Sequence, residues 1–189
     1  MSNRILLDTT SYLRLAFVID PLLRQPFDKD GTELFVLPEL DREYKRSPRL
    51  RNEFAWVADP QYVQNRRDGR LLIRDPQKGE INGALEIMTF TAETAGKGVS
   101  PIDIKCLACG YVLNIQVVTD DMEMRSLADE FHVATLTSLE LLKRMVGQGY
   151  KKQKQIDDII KYWNLVDDLP PGWRGEYKEL FGSESPPSL

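Results

Sequence analysis

Short apolar segments alternate with helical patterns along the chain, and this alternation restricts the fold more than any other feature. The run RILL at 4–7 leads through Asp8 into a helical pattern in which Tyr12, Leu13, Ala16 and Phe17 share one face. A second predicted strand at 33–37 is followed by Pro38, a typical first-turn residue, and by another helix. Residues 47–98 are mostly helical in pattern, and GRLLIRD within them could form a short strand or hairpin.

The pattern is clearest between residues 100 and 147. Ser100-Pro101-Ile102-Asp103 has the form of a helix start, and Gly110 predicts the end of that helix. A buried strand is expected at 112–119, then a helix in DDMEMRSLADEF, a short strand in VATL, and a helix opened by the capping box Thr137–Glu140 and ended by Gly147. This order predicts an α/β fold with a central, mostly parallel sheet between two layers of helices.

The chain is long enough for one domain with an extension, and 42% of its 189 residues are hydrophobic. We expect the domain to cover 1–147, a helical extension to cover 148–181, and the tail 182–189 (GSESPPSL from Gly182 on) to be disordered. The extension has an apolar stripe formed by Ile156, Ile159, Ile160 and Trp163. That stripe is expected to pack on the chain's own domain, or otherwise on a partner or a second copy.

Charge and hydropathy narrow the function classes. The sequence has no apolar run that could span a bilayer and no signal-peptide pattern, so a cytoplasmic protein is expected. The net charge of −4 argues mildly against a nucleic-acid binder, but the region 42–74 has nine basic residues against four acidic ones. Its candidates for contacting an RNA backbone are Arg42, Lys45, Arg46, Arg49, Arg66 and Arg67. The alternative is a solvated helical surface whose aromatic side chains point into the core.

Carboxylates recur where the predicted strands end. Asp8 follows the first strand, and Asp120 and Asp121 follow the strand 112–119. Asp103 lies in the first turn of a helix and Glu43 in an early turn of another, so all five should meet at one edge of the sheet. Such acids would repel each other unless cations neutralised them, and ligand sets made only of oxygen suit Mg²⁺ or Mn²⁺. Two such ions about 4 Å apart could hydrolyse a phosphodiester.

Two other readings concern the same stretch of chain. Asp8, Asp103 and Asp120, taken singly, could each be a helix cap or a first-turn acid favoured by the helix dipole. Cys106 and Cys109 have the CxxC spacing, but a structural zinc site needs four ligands and only His132 is left to add. We therefore expect the cysteines to pack in the core, and His132 to lie in a turn or on the surface.

The quoted motifs resemble those of PIN-domain ribonucleases. ILLDTTSYLRL is similar to the family's opening, VLPELDREY to its second motif, and SPIDIKCLACGYVLNIQVVTDDMEM to its helix–strand–T-[ND]-D pattern. The resemblance covers roughly residues 3–147 and implies a PIN-like fold. It also implies catalytic acids at Asp8, Glu43, Asp103 and Asp121, with Asp120 beside them, and supporting hydroxyls at Thr9 and Thr119. Glu39 and Asp41 compete with Glu43 for the second position.

The resemblance implies a metal-dependent endoribonuclease that cuts single-stranded RNA and leaves 5′-phosphates. Many members of the family are toxins of the virulence-associated-protein-C type, so an antitoxin partner is expected. A catalytically inactive PIN-like module that binds RNA or protein is the main alternative. Receiver domains and haloacid-dehalogenase-type phosphatases fit poorly, because LLDTTS offers a single acid where those folds need paired ones.

Overall fold

The computed structural model describes residues 3–182 of the chain. In these residues four strands form one sheet in the order β2-β1-β3-β4, and all three neighbouring pairs are parallel. The strands are β1 (Arg4–Leu7), β2 (Glu33–Val36), β3 (Gln116–Val118) and β4 (Thr135–Leu136). The chain leaves β1 toward β2 on one side and later returns to β3 on the other, so the direction of winding reverses between β1 and β3. Ligands of open α/β sheets bind at such a point, beyond the carboxyl ends of the strands.

Helices cover both faces of the sheet. The helices are α1 (Thr9–Ala16), α2 (Glu39–Arg46), α3 (Pro48–Glu53), α4 (Pro60–Asp68), α5 (Asp75–Thr94), α6 (Pro101–Leu113), α7 (Met122–Glu130), α8 (Ser138–Gly147), α9 (Gln153–Leu165) and α10 (Trp173–Phe181), with a 3₁₀ turn at Ala55–Ala58. Ile5 and Leu7 of β1 point into a core shared with α1, α8 and α9, whereas Leu6 points into a second core under α5, α6 and α7. The predicted α/β/α class is therefore confirmed.

Local sequence signals explain most helix ends. Asp8, Ser100 and Thr137 cap α1, α6 and α8 through side-chain oxygens, and Thr137 forms the expected capping box with Glu140. The predicted strand in GRLLIRD is reduced to an isolated bridge between Val36 and Arg70.

Gly110 does not end α6, and this prediction was wrong. The helix continues to Leu113 and is closed by Asn114 in the left-handed conformation, so β3 begins at Gln116 instead of 112. A Cβ atom on Gly110 would lie 2.7 Å from Val117 and 2.9 Å from Val133. Glycine is needed here because the helix lies close against the sheet, and not because the helix stops.

The extension is helical and its stripe is buried in the chain's own core. Ile156, Ile160 and Trp163 have no exposed surface and join the core that α1 forms with the sheet. Each buried side chain of this kind stabilises the fold by about 1.5–3 kcal/mol. Of the expected tail, only Gly182 falls in the described residues, and it ends α10; positions 183–189 lie outside them. Within 3–182, no helix combines the length and hydropathy needed to cross a bilayer.

Candidate functional site

Asp8 occupies the switch point of the sheet. Its backbone N–H donates to Val118 of β3 at 3.1 Å, and its Oδ1 accepts from the N–H of Ser11 at 2.6 Å. The residue is 5% exposed. Burial raises the pKa of Asp8 to about 7, although hydrogen bonds from Thr119 and Ser11 oppose that rise; the nearby charge of Asp103 adds to it. The structure thus has a carboxyl group that burial keeps partly protonated at neutral pH.

Asp103 lies in the first turn of α6, across from Asp8. Its backbone N–H and its Oδ2 both bond to the hydroxyl of Ser100, at 3.2 and 2.7 Å. Burial raises the pKa of Asp103, the Ser100 hydroxyl lowers it, and the charges of Glu43 and Asp121 raise it further. Asp103 therefore interacts with acids contributed by three other parts of the chain.

Asp121 and Thr119 follow β3. Asp121 caps α7 through its Oδ1, which accepts from Met124 N–H at 2.7 Å, and its own N–H donates to Thr119 Oγ1 at 3.2 Å. Thr119 is fully buried. Because the same hydroxyl bonds to Asp8, Thr119 links the two acids that follow β1 and β3.

Three acids of α2 were open candidates for the second position, and the structure separates them. Glu43 accepts a 2.6 Å hydrogen bond from the hydroxyl of Thr9, next to Asp8. Asp41 is instead bound by Arg66 and Arg70, both at 2.8 Å, and Glu39 by Arg42 and Lys105. Glu43 alone of the three has no ion pair in the described part of the chain.

Asp8, Glu43, Asp103 and Asp121 are called the acidic group below. Each interacts electrostatically with another member, and none forms an ion pair with a basic side chain among residues 3–182. In the same residues, no three His, Cys, Asp or Glu side chains lie close enough to ligate one metal ion as they stand. The structure therefore brings these acids to one edge without gathering them into a ready cage.

Asp120 does not join the acidic group, which corrects its expected role as a metal ligand. Its carboxylate forms an ion pair with Arg14, and it accepts hydrogen bonds from the backbone and hydroxyl of Ser138 at 2.8 and 2.6 Å. Arg14 also binds Asp168 of the extension, at 3.0 Å. Both side chains of the Arg14–Asp120 pair are 6% exposed, so Asp120 is a buried structural anion.

The two cysteines and His132 lie where the sequence suggested. Cys106 and Cys109 are free, buried in the core under α6, and burial raises the pKa of both thiols, that of Cys109 to about 12. Burial therefore favours the neutral thiol form of both cysteines. His132 is exposed in the turn before β4, with φ of 55°.

The basic candidates differ in availability. Arg42, Lys45, Arg46, Arg49 and Arg67 are exposed. Arg66 is 3% exposed, donates to Asp41 at 2.8 Å and to the hydroxyl of Tyr12 at 3.3 Å, and so cannot reach RNA without leaving these partners. Its predicted role is corrected to a structural one. Tyr62 is buried and packs on Trp56, as the alternative reading of this region required.

A groove of about 500 Å³ opens beside Glu43, between α2 and the start of α6. Arg42 and Arg46 stand on its α2 side, and Pro101, Ile102 and Lys105 form its α6 side. A smaller cavity lined by Asp8, Asp103 and Cys106 lies at the acidic group itself.

Sequence reasoning missed Arg14, Ser138 and Asp168. A usable signal was present for Arg14, because it interrupts the apolar stretch SYLRLAF and is buried there with its neighbours. A charged residue in a stretch that packs on both sides must be paired. Asp168 gives no such signal, since it follows an exposed segment.

Comparison with known proteins adds little to this description. Neither the protein-family models nor the curated protein sequences contain a match to the chain. The crystal structure of FitAcB from Neisseria gonorrhoeae is similar at 16% identity and a TM-score of 0.47, with the match covering 71% of this chain and 98% of that one.

Proposed function

We propose that the protein is a divalent-metal-dependent endonuclease that hydrolyses phosphodiester bonds of single-stranded RNA. The observation that carries this proposal is the acidic group: four carboxylates at the switch point of a parallel sheet, electrostatically coupled, with no basic partner in the described chain. The motif order that resembles PIN-domain ribonucleases supports the same assignment.

The donors fit a hard cation. The four carboxylates offer only oxygen atoms, and burial raises the pKa of the Cys106 thiol that lies beside Asp8. Mg²⁺ keeps several water ligands and commonly uses one or two carboxylates, so the lack of a three-ligand cage is compatible with it. Asp8, Asp103 and Asp121 would hold the ion or ions. When bound, they would supply Lewis-acid activation of water and neutralise charge on the leaving oxygen.

The chain's own residues would prepare that site. Thr119 orients Asp8 and Asp121 through one hydroxyl, and Thr9 holds Glu43 by a 2.6 Å bond. Glu43 would accept a proton from water, and Asp8 would lose its own proton when a cation binds, because a carboxyl group ligates metal in its ionised form. Attack by water does not use the 2′-hydroxyl, so the chemistry itself does not forbid DNA.

The main rival is a PIN-like module without catalysis that binds RNA or protein. The capping roles of Asp8 and Asp121 favour it, because each acid already has a structural purpose. An antitoxin partner belongs to the proposal because the resemblance implies it. A homodimer is expected only as an alternative way to cover the apolar stripe of α9, which the chain's own core already buries.

Cleavage of labelled single-stranded RNA in Mn²⁺, Mg²⁺ and EDTA tests the proposal. Asp121→Asn keeps a good N-cap but loses the charge, and should lower the rate by about 10²-fold or more. Asp59→Asn is the matched control: Asp59 begins α4 but lies outside the acidic group. Metal-independent activity, or equal activity in both variants, would show that the acidic group has no catalytic role.

A further inference from the structure

The groove beside Glu43 shares a wall with the acidic group. Glu43 belongs to both, so a chain lying in the groove reaches the proposed cleavage point without leaving the surface. Its α2 side carries Arg42, Glu43 and Arg46; Arg46 lies four residues after Arg42 and three after Glu43, so it neighbours both on the helix surface.

Some charged side chains of the groove already have a partner and others do not. Arg42 and Lys105 both bind the same oxygen of Glu39, at 2.5 and 2.7 Å. Burial raises the pKa of that carboxyl, but Lys105, a backbone hydrogen bond and Arg42 outweigh burial and lower it. Glu43 is held by Thr9. Arg46 is exposed and has no acidic partner within residues 3–182, so it is the cation free to meet an anion.

The opposite wall is apolar where α6 begins, and Lys105 farther along it is already paired with Glu39. Pro101 and Ile102 open α6 there and present the groove with a surface that has no hydrogen-bonding side chain. A free cation facing a small apolar surface, next to a phosphodiester-cleaving site, suits one nucleotide: its phosphate on the arginine and its base on the apolar wall.

The geometry points to this groove as the subsite for the nucleotide that flanks the scissile phosphate, with Arg46 binding the phosphate and Ile102 contacting the base. This inference rests on the proposed function for the identity of the neighbouring site. It predicts binding with a preference for strands that carry bases and with little preference for a given base, because the wall offers contact without hydrogen-bond readout.

Binding of fluorescein-labelled ten-nucleotide strands, measured by anisotropy in EDTA across a salt series, tests the inference without cleavage. The probes are single-stranded RNA, the same sequence in DNA, and a ten-unit abasic strand. Arg46→Gln should weaken binding of all three about fivefold and reduce the slope of log affinity against log salt by about 0.7. Ile102→Asn should weaken only the base-bearing strands, by about three- to tenfold.

Arg174→Gln is the matched control, since Arg174 is exposed on α10 over the ring of Trp173 and does not line the groove. It should leave affinity for each probe close to that of wild type. Equal binding of RNA and DNA supports the inference, because neither contact involves the 2′-hydroxyl. Affinities that are unchanged in Arg46→Gln and Ile102→Asn overturn it and leave the groove to a protein partner.

Failure of the inference and failure of the proposed function are separable. If the strands bind as predicted but are never cut in Mn²⁺, the groove is a binding site and the proposed nuclease activity is wrong. If cleavage depends on Asp121 but not on Arg46 or Ile102, the protein is a nuclease and the proposed role of the groove is wrong.

Discussion

Two sets of acids lie at the carboxyl edge of the sheet. One is paired with cations, whereas the other, which ranges from the buried Asp8 to the exposed Asp121, has no cation partner among residues 3–182. Asp120 pairs with Arg14, which also binds Asp168, and accepts hydrogen bonds from Ser138. These four residues are called the Arg14 network below. The adjacent Asp121 belongs to the acidic group, which has no basic partner in residues 3–182. Asp41 and Glu39 resemble Asp120 in having cation partners. These cations help to hold the pKa of both carboxyls below their ordinary values despite burial.

The difference separates structural acids from candidate functional ones. Where the fold needs a buried carboxylate, it supplies an arginine or lysine with it. In the acidic group it supplies only hydroxyls and backbone N–H groups, and burial raises the pKa of Asp8 and Asp103. Unpaired acids of this kind destabilise the metal-free protein, and a bound cation is expected to stabilise it again.

The largest effect is expected from breaking the Arg14 network. Arg14→Met leaves the buried acids Asp120 and Asp168 without their cation, and should lower the free energy of unfolding by about 3–5 kcal/mol in urea titrations. Arg24→Met is the control, because its pair with Glu33 is half exposed and should contribute about 1 kcal/mol or less. Equal losses in the two variants would contradict the distinction between the networks.

At Asp8, removing the charge should instead raise the free energy of unfolding. Its folded pKa of about 7 lies above the ordinary value of 3.8, so the unfolded chain loses this proton first. The contribution of Asp8 to stability is therefore greatest below pH 4 and is lost as pH rises from about 4 to about 7. Asp8→Asn keeps the cap and removes this loss, so without metal it should be about 2–4 kcal/mol more stable than wild type at pH 8 and similar at pH 4.

Urea melts across pH 4–8 in EDTA make that measurement. Asp30→Asn, at an exposed position, should stay within about 0.5 kcal/mol of wild type throughout. A lower stability of Asp8→Asn at pH 8 would mean that the carboxylate is a net stabilising cap.

The capping residues show how far sequence alone reaches. Asp8, Ser100 and Thr137 act within three residues of their targets, so each was predictable from local spacing. The partners of Asp120 lie 106 and 18 residues away, and no local pattern distinguishes Asp120 from Asp121. The predictions for Gly110 and Arg66 fail for the same reason: the close approach of Gly110 to Val117 and Val133 and the pairing of Arg66 with Asp41 depend on packing between different elements.

Binding of metal to the acidic group should raise the free energy of unfolding. Mn²⁺ at about 100 times its dissociation constant should stabilise wild type by about 2.7 kcal/mol, seen as a higher melting temperature. Asp121→Asn should gain less, and Asp59→Asn should gain as much as wild type. A wild-type melting temperature that does not respond to Mn²⁺ or Mg²⁺ would leave the acids as caps only.

The smallest effect tests whether one added donor can relieve the acidic group. Cys106 shares the small cavity with Asp8, and its thiol is a weak donor. Cys106→Ser should lower the pKa of Asp8 and reduce the loss of stability between pH 4 and pH 8 by about 1 kcal/mol. Cys109→Ser, buried on the same helix but outside that cavity, should leave the size of this loss unchanged.

The Arg14 network joins residues that are made at very different times. Arg14 and Asp168 are separated by 154 residues, and the indole of Trp163 donates to the backbone oxygen of Arg14 at 3.0 Å. A nascent chain that has emerged only as far as α8 contains all four strands and the whole acidic group, yet its Arg14 still lacks one acid and its aromatic cover. Loop closure over such a distance is slow, so α9 and the segment after it, which are synthesised later than α1, complete the environment of α1.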